Sequence, residues 1–188
     1  MRIISGNFRG KKILEPKDIQ TRPLKDLTKE SIFNILSHSN KFKIDLENSN
    51  VLDLFSGVGS FGIECLSRGV KNVIFVENYS GVLPILKKNL QSLKSIENYE
   101  IFEKDITSNN FFISLDKKFD IIFMDPPYKD KSLNLLLDKI KDQKILNKNG
   151  IIIVHRHKNE QDEIPKNLDI IEEKKYGLSK IIFLSFLN

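Results

Sequence analysis

The stretch Val51-Leu-Asp-Leu-Phe-Ser-Gly-Val-Gly-Ser-Phe-Gly62 constrains this chain more than any other. Val51 to Phe55 is a short apolar run that reads as a buried strand. Gly57, Gly59 and Gly62 then allow a tight turn and a helix packed hard against that strand. The helix, roughly Phe61 to Arg68, stops at Gly69, which suits a left-handed C-cap. A second strand, Asn72-Val-Ile-Phe-Val76, ends in Glu77. Strand, glycine turn, helix and a second strand closing on an acid form a nucleotide-cofactor site.

Two cofactor classes fit this pattern. Gly57-x-Gly59-x-x-Gly62 matches the dinucleotide fingerprint, with Glu77 near the position of its ribose-binding acid. Asp53 argues the other way. A carboxylate 4 Å from a pyrophosphate charge costs about 4 kcal/mol at an effective dielectric of 20. S-adenosylmethionine carries a sulfonium and an ammonium but no phosphate, so acids around its site are favourable. The residues therefore favour S-adenosylmethionine, and Glu77 can hold ribose hydroxyls of either ligand.

The rest of the chain builds a sheet around this unit. Arg2 to Gly6 and Gly10 to Leu14 flank a turn and suggest a hairpin or extended arm. A loop bracketed by Pro16 and Pro23 follows. From Asp26 a helix is expected, with Leu27, Ile32, Phe33, Ile35 and Leu36 as its apolar stripe and Asp26 or Thr28 as cap. Lys41 to Asn50 reads as a polar linker. After Glu77 come a helix over Ser80 to Leu93 with Pro84 in its first turn, a strand Tyr99 to Phe102, and a short helix Phe111 to Leu115. A fourth strand, Phe119 to Met124, runs into Asp125-Pro-Pro-Tyr128. A helix Ser132 to Ile145, a strand Gly150 to Val154 and two strands, Leu168 to Lys174 and Ile181 to Phe186, complete the chain. Alternating strands and helices predict an α/β fold, a mostly parallel seven-stranded sheet with helices on both faces. Its last two strands, joined through Tyr176-Gly177, form an antiparallel hairpin.

Charge divides the chain unevenly. Residues 1–43 hold ten Lys or Arg against four acids, a net +6, which leaves −1 for residues 44–188 out of the total of +5. A basic extension (1–43) joined to a near-neutral cofactor domain (44–188) is the expected organisation, and a polyanion is the expected partner of the extension. No apolar run approaches the ~20 residues of a membrane span. The opening Met1-Arg-Ile-Ile-Ser-Gly lacks a signal-peptide pattern, and Cys65 is the one cysteine. A cytoplasmic location, no membrane association and no disulfide framework are expected.

Asp125-Pro126-Pro127-Tyr128 sits where the fourth strand reaches the carboxyl edge of the sheet, the edge at which ligands bind. Two prolines stiffen the loop and remove its donors, leaving carbonyl acceptors between a carboxylate and an aromatic ring. An exocyclic amine on a planar base needs this set, because its lone pair is delocalised into the ring. Asp125 and the Pro126 carbonyl can accept its two N–H bonds, and Tyr128 can stack on the base for ~1–3 kcal/mol. Asp125 or a water can take the proton released on transfer. Asp105, after the third strand, can accept from an adenine amine, although a solvated loop acid reads equally well. His155 and His157 alternate along a strand and could form half of a metal site, but no third ligand is placed nearby, so no metal is expected. His38 reads as the end of the first helix.

The glycine stretch and Asp-Pro-Pro-Tyr128 together resemble the class I S-adenosylmethionine-dependent amino-methyltransferases. Met1-Arg-Ile-Ile-Ser-Gly-Asn-Phe-Arg-Gly-Lys11, Thr21-Arg-Pro23, Glu30-Ser-Ile-Phe-Asn-Ile-Leu36 and Lys174-Lys-Tyr-Gly177 narrow the resemblance to the bacterial small-subunit ribosomal RNA guanine-N2 methyltransferases of the RsmD type, over nearly the whole chain. The resemblance implies a Rossmann-like fold and methylation of a guanine exocyclic amine in 16S-type RNA. The expected substrate is the assembled or partly assembled 30S-type particle, and the expected enzyme is a monomer. It places the cofactor against Asp53, Phe55, Ser56, Gly57, Gly59, Glu77, Asn78, Asp105 and Ile106. Asp125, Pro126, Pro127 and Tyr128 become the catalytic loop, and Arg2, Arg9, Lys11, Lys12 and Arg22 the RNA-facing arm. Leu27 stands where that family would have an arginine, and His155 where its fifth strand often ends in an acid. The alternatives are an amino-methyltransferase acting on a DNA base or a protein glutamine, a dinucleotide-dependent oxidoreductase, and a non-catalytic RNA-binding assembly factor.

Overall fold

The computed structural model describes residues 1–16, 24–108, 111–127 and 131–187. Its strands are β1 (Asn50–Leu54), β2 (Asn72–Val76), β3 (Tyr99–Phe102), β4 (Phe119–Met124), β5 (Leu146–His157), β6 (Leu168–Tyr176) and β7 (Ser179–Phe186). They form one sheet in the order β3-β2-β1-β4-β5-β7-β6. The first five strands pair in parallel, while β7 is antiparallel to β5 and β6. Strand order reverses between β1 and β4, the position where an open parallel sheet leaves a crevice for a ligand.

Side chains alternate between the two faces of a strand, and both faces are apolar here. Val51, Val73, Phe75, Ile121, Phe123, Ile151 and Ile153 belong to one core cluster. Leu52, Leu54, Ile74, Val76, Ile122, Met124, Ile152 and Val154 belong to the other. Helices α1 (Asp26–His38), α2 (Ser60–Ser67) and α3 (Leu83–Gln91) cover the first face. Helix α4 (Leu133–Asp142) and a short 3-10 turn, Phe112–Ser114, cover the second. Phe61 stacks on Phe33 of α1 at 5.3 Å and on Phe123 of β4 at 4.1 Å, so an aromatic column fixes α2 against the strand that carries Asp125. Each such pair contributes about 0.5–1.5 kcal/mol beyond its buried area.

The N-terminal segment is part of this packing. Its hairpin is closed by an antiparallel bridge between Arg2 and Lys12, and Ile3 and Ile13 lie in the first core cluster. Glu64 of α2, fully buried, accepts the backbone N–H groups of Ile4 (2.7 Å) and Ser5 (2.9 Å) and the Nε–H of Arg68 (2.9 Å). The buried Lys29 ammonium lies 3.7 Å from the same carboxylate and donates to the Arg2 carbonyl at 2.7 Å. Burial pushes Lys29 below the ordinary lysine range, with Glu64 opposing. Asn89 of α3 holds the outgoing strand of the hairpin, bonding both backbone groups of Leu14 and donating to the Val58 carbonyl of the glycine loop.

Several expectations change. Leu27 is 67% exposed, and α1 instead buries Thr28, Lys29, Ile32, Phe33 and Leu36, because the Lys29–Glu64 pair turns that side of the helix inward. Lys25 is its N-cap, with no side-chain cap, and Asp26 accepts the Arg2 N–H instead. The segment after α1 packs: Phe42, Ile44 and Leu46 lean on the core, and Phe42 stacks on Phe183. Helix α3 begins three residues late because residues 79–82 form a turn on the Tyr79 carbonyl. Strand β5 extends well beyond Gly150 to Val154 in both directions, since Leu146 pairs with Phe119 and His157 with Ser179.

Candidate functional site

The glycine turn begins with a strained residue. Phe55, just past β1, adopts φ +58°, a left-handed conformation that costs a non-glycine residue about 1–3 kcal/mol. The turn is held by backbone donors closing on β2: the Ser56 N–H donates to the Val76 carbonyl (3.0 Å), and the Gly57 N–H to Glu77 Oε2 (2.8 Å). The Ser56 hydroxyl also faces the Val76 carbonyl, at 3.3 Å. Gly59, at φ +84°, is the N-cap of α2. Gly62 permits the closest approach: a Cβ there would lie 2.3 Å from the Phe75 ring and 2.9 Å from Asp53 Oδ2.

Strand parity brings the acids together. Asp53, Glu77 and Asp125 continue the odd-numbered positions whose apolar members face α2 and α3. Asp53 is 1% exposed; its Oδ2 accepts the Gly62 N–H at 2.9 Å, and its Oδ1 is buried with no hydrogen-bond partner among the described residues. Burial holds the Asp53 carboxyl well above the usual carboxylate range; the Gly62 N–H opposes this, while the Asp125 and Glu77 charges reinforce it. The three carboxylates create a negative field in which a cationic ligand stabilises the ionised form of Asp53 and an anionic one does the reverse. Glu77 itself braces the turn, since Oε1 accepts the Asn78 and Tyr79 N–H groups (2.8 and 2.7 Å).

A pocket opens beside Glu77. Phe55, Glu77, Asn78, Asp105 and Ile106 line it, together with Val76 and Lys104, so five expected cofactor contacts converge there. Asp53 is not among its lining residues; it lies beneath the glycine turn. Asp105 Oδ1 accepts the Thr107 N–H and hydroxyl (2.8 and 2.7 Å), and these bonds hold its carboxyl below the usual range. Asp105 is thus an oriented loop carboxylate.

The Asp125-Pro126-Pro127 segment is gripped by β5, a contact the sequence alone does not show. Asp125 Oδ1 lies 2.8 Å from His155 Nδ1, and His155 Nε2 lies 2.9 Å from the Ser179 hydroxyl. Arg156 donates from Nη1 to the Pro127 carbonyl at 3.3 Å while its Nε and Nη2 clasp Asp162 at 2.8–3.1 Å. The His155 nitrogens are therefore engaged by Asp125 and Ser179, which removes it from the possible His155–His157 metal pair. The only available signal was parity, placing residue 155 on the face of residue 125; the sequence did not show that β5 extends so far. Tyr128 and Arg22 lie outside the described residues. Arg2 is exposed and pairs with Asp26 at 3.8 Å, and Lys11 Nζ donates to the Ser92 carbonyl. Lys12 and Arg9 are exposed, and Arg9 lies in the hairpin turn docked on Ser67. That is the end of α2 remote from the glycine loop.

The β1/β4 reversal of strand order, a pocket holding Glu77 and Asp105 at the carboxyl ends of β1, β2 and β3, and a β6–β7 hairpin closing the parallel sheet define the class: this is a class I methyltransferase fold. The comparisons agree. The Escherichia coli protein yhhF superposes with a TM-score of 0.81 at 26% identity, covering 98% of this chain and 96% of that one. A Haemophilus influenzae structure superposes at 0.74 with 30% identity, covering 100% and 98%. The model of the family described as conserved hypothetical protein 95 matches residues 1–185, and the chain belongs to that family. Among curated relatives, the Haemophilus influenzae ribosomal RNA small subunit methyltransferase D is 34% identical over 181 residues, covering 95% of this chain and 90% of its own length. The Buchnera aphidicola (Acyrthosiphon pisum) protein of the same name is 33% identical over 172 residues, covering 92% and 86%. Among the described residues, no helix is long and apolar enough to cross a membrane.

Proposed function

We propose that this protein methylates the exocyclic N2 amine of a guanine in small-subunit ribosomal RNA, using S-adenosylmethionine. The observation that carries the reading is the Asp125 carboxylate at the strand reversal, one oxygen held by His155, on the same sheet face as Asp53 and Glu77. Bound beside Glu77, S-adenosylmethionine supplies a methyl carbon on a sulfonium, an electrophile that needs no metal. The protein's task is then positioning, an effect that can reach ~7–11 kcal/mol. Asp125 Oδ2 and the Pro126 carbonyl accept the two amine hydrogens and orient the nitrogen lone pair. The Pro127 carbonyl is committed to Arg156 and takes no part. As the amine nitrogen gains its bond to the methyl carbon, the carbon–sulfur bond would break and its electron pair leave with the neutral thioether; Asp125 would stabilise the charge arising on nitrogen and accept its proton. The base reaches this loop unpaired or flipped out of its helix.

The names of the family relatives and the basic hairpin support ribosomal RNA as the substrate, and the proposal takes it within an assembled or partly assembled small subunit. Arg9 and Lys12, far from the catalytic edge, would contact phosphates and govern binding rather than the chemical step. Arg9→Ala with Lys12→Ala should raise KM for the particle and flatten its salt dependence while leaving kcat unchanged. The deciding experiment is transfer of labelled methyl to small subunits from a strain lacking the enzyme, followed by nucleoside analysis. Labelled N2-methylguanosine is the expected product, and label on a DNA base or a protein glutamine overturns the substrate assignment. Asp125→Ala should abolish transfer while cofactor binding persists; retained turnover would remove Asp125 from the mechanism.

A further inference from the structure

We propose that His155 is a positioning residue for methyl transfer, locking the Asp125 carboxylate so that one oxygen alone meets the substrate amine. The inference rests on the reading of Asp125 as the amine acceptor and adds what keeps that acceptor in place. A carboxylate on the surface of a loop rotates freely about its terminal torsions, and each rotation moves the acceptor relative to the amine. In this chain the carboxylate is tied at Oδ1. An ionised carboxylate only accepts hydrogen bonds, so the 2.8 Å contact to His155 requires the proton on Nδ1. In the neutral ring Nε2 then carries the lone pair and accepts the Ser179 hydroxyl at 2.9 Å. His155 is 6% exposed and Ser179 9%, so water competes little for either bond. The ring is thus held from behind by β7, and through it Asp125 is anchored to the antiparallel end of the sheet.

The neighbouring residue completes the device. Arg156 is 2% exposed, is clasped by Asp162 and donates to the Pro127 carbonyl. Consecutive strand residues point to opposite faces, so His155 and Arg156 hold the two ends of Asp125-Pro126-Pro127 from opposite sides. The prolines stiffen the middle. What remains for the substrate, among the described residues, is Asp125 Oδ2 and the Pro126 carbonyl, the pair that recognition of an amino group requires.

The test separates the Nδ1 contact from the bulk of the ring. In His155→Asn the side-chain amide can place an N–H where Nδ1–H stood; in His155→Gln it reaches toward Ser179 and leaves Asp125 Oδ1 untied. Single-turnover transfer to unmodified small subunits should fall ~10- to 100-fold in His155→Gln, as expected for a misplaced acceptor. His155→Asn should keep most of the wild-type rate, and both variants should bind S-adenosylmethionine and the particle as tightly as wild type. A His155→Gln rate equal to wild type, or a His155→Asn rate as low as that of His155→Gln, overturns the inference. A wild-type protein that transfers no methyl overturns the proposed function instead. Long-range 1H–15N correlation of the His155 ring gives a readout independent of turnover and of any variant's folding. Nδ1 should carry the proton in wild type, and an unprotonated Nδ1 refutes the positioning role.

Discussion

Replacing a motif acid should stabilise this fold. Asp53 is enclosed beneath the glycine turn, with one oxygen on the Gly62 N–H and the other without a partner among the described residues. Burial raises its carboxyl above the unfolded value of about 3.9, and Asp125 and Glu77 push the same way. Between the unfolded and folded values the native state binds more protons than the unfolded chain. Stability therefore declines as pH rises through that window and levels off above it. Asp53→Asn keeps an oxygen for Gly62 and removes the charge, so it should match wild type at pH below about 3.9 and exceed it increasingly above. The gap should open with a limiting slope of about 1.4 kcal/mol per pH unit, or ~3–5 °C in Tm per unit for a chain of this length. Thermal unfolding of both proteins from pH 4 to 9 without cofactor measures this directly. A difference independent of pH, or a variant less stable than wild type at neutral pH, would refute the account of Asp53 as a buried charge. Saturating S-adenosylmethionine should raise the wild-type Tm more than that of Asp53→Asn, because only the wild type offers the sulfonium a third carboxylate.

Other perturbations probe the neighbouring parts of the structure. Glu64→Ala leaves the buried Lys29 ammonium with only the half-exposed Asp26 carboxylate, 4.0 Å away, as its counter-charge and frees two hairpin N–H groups. It should cost about 3–5 kcal/mol in urea unfolding, and a loss under 1 kcal/mol would show that the hairpin docks by its apolar residues alone. Glu77→Ala removes the acceptor for Gly57, Asn78 and Tyr79. It should weaken S-adenosylmethionine binding ~10- to 100-fold by calorimetry, the equivalent of one charged hydrogen bond; unchanged affinity would remove Glu77 from the site. Gly62→Ala drives a methyl into the Phe75 ring and should destabilise by about 1–3 kcal/mol, measured as a shift in urea midpoint at constant m-value.

The elements and the motifs were legible in the chain because they are local. The apolar runs of β1, β2, β3 and β4 and the glycine turn lie where periodicity and backbone freedom place them. The alternation of strands and helices gave the parallel sheet with its closing hairpin, and Asp125-Pro-Pro-Tyr128 suggested the amine-binding loop proposed above. Decisions that depend on which strand lies beside which, and in what register, belong to the tertiary structure. The length of β5 depends on pairing with β4 at one end and β7 at the other. Only that pairing brings His155 to Asp125 and Arg156 to Pro127. The depth of Asp53 follows from the approach of α2 at Gly62, and the inward turn of Lys29 from a partner 35 residues away in sequence, Glu64. Sequence sets which side chains stand at the carboxyl edge of the sheet; register and burial set which oxygen of Asp125 is tied to His155.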